Sequence, residues 1–239
     1  MEKGQLLYEG KAKKIYATEK ENELLVDYKN SATAFNGEKK TEIEGKGRLN
    51  NEISSLLFEK LKEEGIESHF IRKLSETEQL VIKADIFPLE VVVRNIVAGS
   101  LSKRLGVKEG TLIGKPIVEF YYKNDELGDP LLNKSHIAFL QAAEEKELQQ
   151  MERLALNVNE VLRSHFSSLG VTLVDFKLEF GTAADGELIL ADEISPDTCR
   201  LWDAETNEKL DKDVFRRNLG SLTDAYEEIL KRLGGSLNV

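Results

Sequence analysis

A chain of 239 residues with 41% hydrophobic and 32% charged side chains can bury a full core, which excludes a disordered segment and fits one large or two modest domains. Its 33 basic and 43 acidic residues leave a net charge of -10, which argues against a nucleic-acid partner but not against small anions, since salt screens charge over about 8 Å and local groups decide. The single Cys199 excludes an intrachain disulfide or a cysteine-built metal site, and neither an apolar signal core nor a run near the roughly 18 residues of a membrane span is present, so a cytoplasmic protein is expected.

In chain order, short runs bounded by turn residues predict strands over 5–9, 13–17 and 23–28. Leu49, Ile53, Leu56, Leu57 and Leu61 recur at helical spacing before Gly65, which predicts a helix. Strands are expected over 69–74 and 80–86, the second leading into Pro88. The run 90–97 is apolar except for Arg94 and Asn95, and Gly99-Ser100 opens a short helix. The longest helix is predicted over 144–169, with Leu148, Met151, Leu154, Ala155, Val158, Val161 and Leu162 as its core stripe. Closing helices are expected over 212–219 and 222–233. The pattern is α+β, with a small β-rich N-terminal lobe over 1–84 and a larger lobe over 85–239, meeting near 83–88 where a ligand cleft would lie.

Between the long helix and the closing pair, LVDFKLEFG (173–181) alternates charged and apolar residues. A strand would set Asp175, Lys177 and Glu179 on one face, with Val174, Phe176, Leu178 and Phe180 on the other. Asp185-Gly186 then signals a hairpin into a strand over 187–192, which brings Glu179 near Asp192. Such carboxylates repel unless a cation, usually a divalent ion, sits between them. The alternative is an edge strand with its charges in water, where an exposed Lys177 would contribute little to folding.

Two further segments suggest anion chemistry. YEGKAKKIY (8–16) places Lys11, Lys13 and Lys14 just after Gly10, suited to polyphosphate, although a solvated hairpin tip reads equally well. No Walker or Rossmann glycine pattern occurs. In FPLEVVVRNIVAGS (87–100), Arg94 among valines needs a carboxylate or an anionic ligand, and Ser100 either binds phosphate or caps a helix. His69, His136 and His165 share no metal-ligand spacing, and no histidine lies near Cys199 in sequence, so no thiolate nucleophile is expected. These residues alone support a Mg²⁺-nucleotide site, which a small-molecule kinase or a nucleotide-sensing module would share.

FPLEVVVRNIVAGS, LVDFKLEFG, LADEISPDTCRLWD and YEGKAKKIY together resemble the SAICAR synthetase family over essentially the whole chain. The resemblance implies an ATP-grasp-like fold and ligation of L-aspartate to carboxyaminoimidazole ribonucleotide (CAIR), with ATP consumed through an acyl phosphate. It implies that Lys11, Lys13 and, more weakly, Lys123 contact ATP, with Lys83 at the adenine hinge. Glu179 and Asp192 would ligate Mg²⁺. Asp175 and Lys177 would be the catalytic pair facing the imidazole and its carboxylate. Arg94, Ser100, Arg200 and Arg216 would hold the ribonucleotide. For the aspartate pocket, 31–37 and 45–47 are expected. A homodimer without membrane or nucleic-acid partners completes the expectation.

Overall fold

The computed structural model describes residues 3–34 and 39–236. The alternating N-terminal runs form β1 (Leu6–Glu9), β2 (Lys13–Ala17) and β3 (Glu23–Tyr28), followed by the paired β4 (Ser31–Ala34) and β5 (Lys39–Glu42). Helix α1 (Lys46–Glu63) leads to β6 (Phe70–Lys73) and β7 (Glu78–Ile82), which complete an antiparallel sheet in the order β1-β2-β3-β7-β6.

A second sheet starts two residues later. Its members are β8 (Ala84–Ile96), β9 (Leu112–Tyr122), β10 (Leu131–Leu132), β11 (Val171–Ala183), β12 (Leu188–Ala191) and β13 (Cys199–Asp203). The order is β10-β9-β8-β11-β12, with β13 also paired to β11. The helices between and after them are α2 (Gly99–Leu105), α3 (Lys134–Leu140), α4 (Glu145–Ser168), α5 (Asp213–Arg216) and α6 (Leu222–Arg232). None of the helices is long and apolar enough to cross a membrane, among the described residues.

The main core joins one face of this second sheet to three helices. Ile53 and Leu57 of α1, Met151 and Leu162 of α4, and Tyr226 and Ile229 of α6 pack with Phe176, Leu178 and Phe180 of β11. Burying each such side chain is worth roughly 1.5–3 kcal/mol, which fixes the helical layer and leaves the opposite face for the cleft. A separate small cluster, Val26, Tyr28 and Val81, lies on the first sheet with Ile15 and Leu24 against it.

Four local expectations are corrected. The run 80–86 is not one strand, because the chain leaves the first sheet after Ile82 and enters the second at Ala84. Pro88 lies inside β8, not beyond a strand, at the irregularity in the β8–β11 pairing, and its carbonyl accepts from Lys123 N at 3.0 Å. A proline is tolerated there because no ladder donor is required. Val174 does not share a face with Phe176: a bulge between Leu173 and Asp175 adds a residue and reverses the alternation, sending Val174 to Ile96, Ala98 and Trp202. The helix expected over 212–219 keeps only Asp213–Arg216, and the chain then passes through a left-handed Asn218.

Candidate active site

β11 is a central strand, so its charged face is not in open water: Asp175 is 3% and Glu179 4% exposed. That face looks across a cleft toward the first sheet, where a cavity of about 410 Å³ opens. Its walls are apolar at one end, from Ile15, Leu24, Val26, Val81, Ala84 and Ile86. Its other end carries Lys11, Lys13, Lys123, Lys177, Glu179 and Asp192. A flat apolar ring fits the first end and a charged chain the second. Lys83 is exposed and lies outside this lining, although the segment following it contributes to the wall.

Lys177 Nζ lies 2.7 Å from both Glu179 Oε1 and Asp192 Oδ2, and 3.7 Å from Glu90. Lys13 also binds Asp192 and reaches Glu193 at 3.5 Å, and Lys123 binds the second oxygen of Glu179. Lys11 turns to Asp125 at 2.6 Å. Burial opposes charge on Lys13 and Lys177, yet the carboxylates outweigh it and raise both above the ordinary lysine pKa. Burial likewise opposes charge on Asp192, and Lys13, Lys177 and Lys123 more than offset it, holding this carboxyl well below its ordinary value. Lys177 therefore acts as a fixed positive charge and not as a base. Asp192 has a left-handed backbone (φ 63°), an unusual conformation that aims its carboxylate into the cleft from the end of β12.

Glu179 and Asp192 suit Mg²⁺ by their chemistry: they are hard oxygen donors converging on one nitrogen, and this ion commonly takes one or two carboxylates together with phosphate oxygens. A closed cage of three or more such side chains is absent among the described residues.

His69 closes the back of this cavity, stacked edge-on against Phe58, with Nε2 3.0 Å from the Asp192 carbonyl. Burial and then the Lys13 charge push its imidazole down to about 4 from 6.5. Between those values the unfolded chain takes up a proton that the folded chain refuses, so this contribution is complete above pH 6.5 and is lost as pH falls toward 4. The effect is on the order of 3 kcal/mol. In urea melts, His69→Gln is expected to flatten the fall in stability across that window, and an unchanged slope would refute the assignment.

A second cavity of about 520 Å³ adjoins the first, and Lys11, Lys177 and Glu193 belong to both walls. Its floor is an arginine network. Arg94 donates to Asp175 at 2.9 Å, Glu119 at 2.6 Å, Tyr121 at 2.9 Å and Ser100 at 3.2 Å. Arg200 holds both oxygens of Asp175 at 3.1 and 2.9 Å and reaches Asp213 at 3.1 Å, which Arg216 also binds at 2.7 Å. Asp175 thus orients two guanidinium groups. Gly99 makes room for one of them: its φ is +53°, and a Cβ there would lie 2.4 Å from Arg200 Nη2.

Every residue expected to act in catalysis or to bind ATP, Mg²⁺ or the ribonucleotide, except Lys83, therefore lines one of two joined cavities. Of the expected aspartate pocket, 35–37 lie outside the described residues, Thr33 lines the second cavity, and Lys46 is fully buried. Sequence reasoning did not assign Glu90, Glu119, Asp197, Lys212 or Asp213. The alternation of β9 puts Glu119 and Tyr121 on one face, but only the β8–β9 pairing brings them to Arg94. Cys199 lies in the cavity wall with its thiol pushed up by burial, so it does not serve as a nucleophile.

Residues 6–233 match the model of the SAICAR synthetase family. The chain is 65% identical to the phosphoribosylaminoimidazole-succinocarboxamide synthase of Bacillus cereus, with 100% of both chains covered. The crystal structure of the Ehrlichia chaffeensis synthase superimposes with a TM-score of 0.95 at 48% identity, over 98% of this chain and 100% of that one. A SAICAR synthetase solved in complex with ADP gives a TM-score of 0.94 at 50% identity, over 97% and 99%. With this fold and these matches along its length, the chain belongs to the SAICAR synthetase family: it has an ATP-grasp-like fold and is an ATP-dependent carbon–nitrogen ligase of purine biosynthesis.

Proposed function

We propose that the enzyme joins L-aspartate to CAIR, forming SAICAR, ADP and phosphate through an acyl phosphate, and that it works as a Mg²⁺-dependent homodimer in the cytoplasm. The observation carrying this reading is the junction of the two cavities at Lys177, which places one fixed positive charge between a nucleotide-shaped slot and an arginine-lined pocket. In the first step, a carboxylate oxygen of CAIR attacks the γ-phosphorus of ATP and the bond to ADP breaks. In the second, the aspartate amine attacks the acyl carbon, loses a proton, and phosphate departs with the former carboxylate oxygen.

The side chains carry distinct tasks. Lys11, Lys13 and Lys123 neutralise the phosphates, while Lys177 offsets the charge of the oxygen that accepts the phosphoryl group. Glu179 and Asp192 would hold Mg²⁺, which would supply charge neutralisation at the phosphates. Arg94, Ser100, Arg200 and Arg216 hold the ribonucleotide, oriented through Asp175 and Asp213. Such positioning supplies most of the catalysis in phosphoryl transfer. The reading is supported by the ADP complex of the 50% identical relative, whose fold this chain shares.

A coupled assay for ADP tests it, with each substrate omitted in turn. ADP formation that needs both CAIR and aspartate is expected; ADP release with CAIR alone would indicate a kinase, and stoichiometric binding without turnover a sensor. Gly99→Ala supplies a second check. The added methyl meets Arg200, and the left-handed backbone adds a strain of about 1–2 kcal/mol. The KM for CAIR is expected to rise while that for ATP holds, and an equal rise in both would contradict the assignment of the second cavity.

A further inference from the structure

We infer that Lys46, buried behind the second cavity, is a positioning residue that occupies the Asp197 carboxylate and thereby keeps the Lys212 ammonium available to an anionic ligand. Lys46 opens α1 and is 0% exposed, with Nζ 2.5 Å from Asp197 Oδ2. Tyr226, from α6, donates its hydroxyl to Asp197 Oδ1 at 2.5 Å. Both oxygens of Asp197 are thus engaged by short, charge-assisted bonds from the core side. Lys212, in the cavity wall, is left 3.6 Å from Oδ2.

The other cations of this cavity are more tightly committed: Lys177 and Arg216 sit 2.7 Å from carboxylates, Lys11 and Arg94 2.6 Å and Arg200 2.9 Å. Among the described residues, Lys212 is the cavity cation with the loosest carboxylate pairing. The charges facing it are Asp197 and Glu193, which favour its protonation, and Lys46 and Arg216, which oppose it. Burial is the largest influence, and the balance lies below the ordinary lysine pKa. A buried ion pair adds little stability over apolar groups of the same volume, so Lys46 is better explained by charge arrangement than by holding the fold. The turn bearing Asp197 is fixed independently, since Asp197 N donates to Ser195 Oγ at 3.1 Å and that hydroxyl donates to Glu193 at 2.8 Å.

The test follows the free amine of Lys212 by competitive labelling with acetic anhydride and mass spectrometry, using exposed Lys83 as the internal standard. In Lys46→Met, Asp197 captures Lys212 and its labelling should fall at least about threefold. In Lys46→Met/Asp197→Asn the captor is gone and labelling should return to within about twofold of the parent. Unchanged labelling in the single variant, or no recovery in the double, overturns the inference. Should Lys46→Met fail to fold, Lys46→Gln decides, since it keeps a hydrogen-bond donor beside Asp197 and removes the charge: lower Lys212 labelling supports the inference and unchanged labelling refutes it. The kinetic counterpart rests on the proposed CAIR site, with KM for CAIR rising in Lys46→Met and recovering in the double variant while KM for ATP holds. Altered labelling with an unaltered KM for CAIR would count against that site and leave the charge arrangement standing.

Discussion

Asp192→Asn is expected to raise the Mg²⁺ concentration needed for half-maximal activity, and the KM for Mg²⁺-ATP, by at least about tenfold, because a metal ligand contributes several kcal/mol and each 1.4 kcal/mol is a factor of ten. The substitution suits the site. Asparagine adopts the left-handed backbone of position 192 readily, so the change removes charge without adding strain. It also releases Lys13 and Lys177 from a shared carboxylate, which leaves the cleft more positive. Nucleotide binding without Mg²⁺ should therefore hold or tighten while turnover falls. Glu179→Gln should act in the same direction, since Glu179 meets Lys177 and Lys123 from the neighbouring strand. Mg²⁺ titrations of both variants check this, and parent-like curves would remove these carboxylates from the metal site.

Lys177→Ala is expected to lower kcat by about 10²–10³-fold, the loss typical of one preorganised group that stabilises developing charge. The structure revises what it does to folding. An exposed lysine would cost nothing, but Lys177 is only 21% exposed in its side chain and lies among Glu90, Glu179 and Asp192. Removing it leaves those acids facing one another, a loss on the order of 3 kcal/mol for a fully buried pair and less for this partly exposed one. A lower melting temperature is expected, with part of the loss recovered on adding Mg²⁺. Full activity in Lys177→Ala would refute the catalytic role, and a melting point insensitive to Mg²⁺ would refute the shared cation site.

The charged face of β11 was legible because alternation has a period of two and three ionisable residues fell in step. The early strands were legible for a similar reason: short runs between turn residues leave little room for other pairings. Val174 was misplaced because a bulge shifts parity without leaving a proline or glycine as a sign. Pro88 suggested a break because its tolerance depends on where the neighbouring strands pair, a property of the sheet and not of the segment. The same limit hid Glu119 and Asp213. Each is an ordinary surface-type acid in sequence until the sheet brings Arg94 or Arg200 beside it.

On the proposed mechanism, a phosphoryl group crosses from the nucleotide cavity to a carboxylate held in its neighbour, beside Lys177. Heavy oxygen placed in the CAIR carboxylate measures this directly when the released phosphate is weighed by mass spectrometry. The mechanism predicts one heavy oxygen in each phosphate formed, since the oxygen that attacks phosphorus is the one that departs. Phosphate carrying only light oxygen would show that the carboxylate never received the group and would contradict the account.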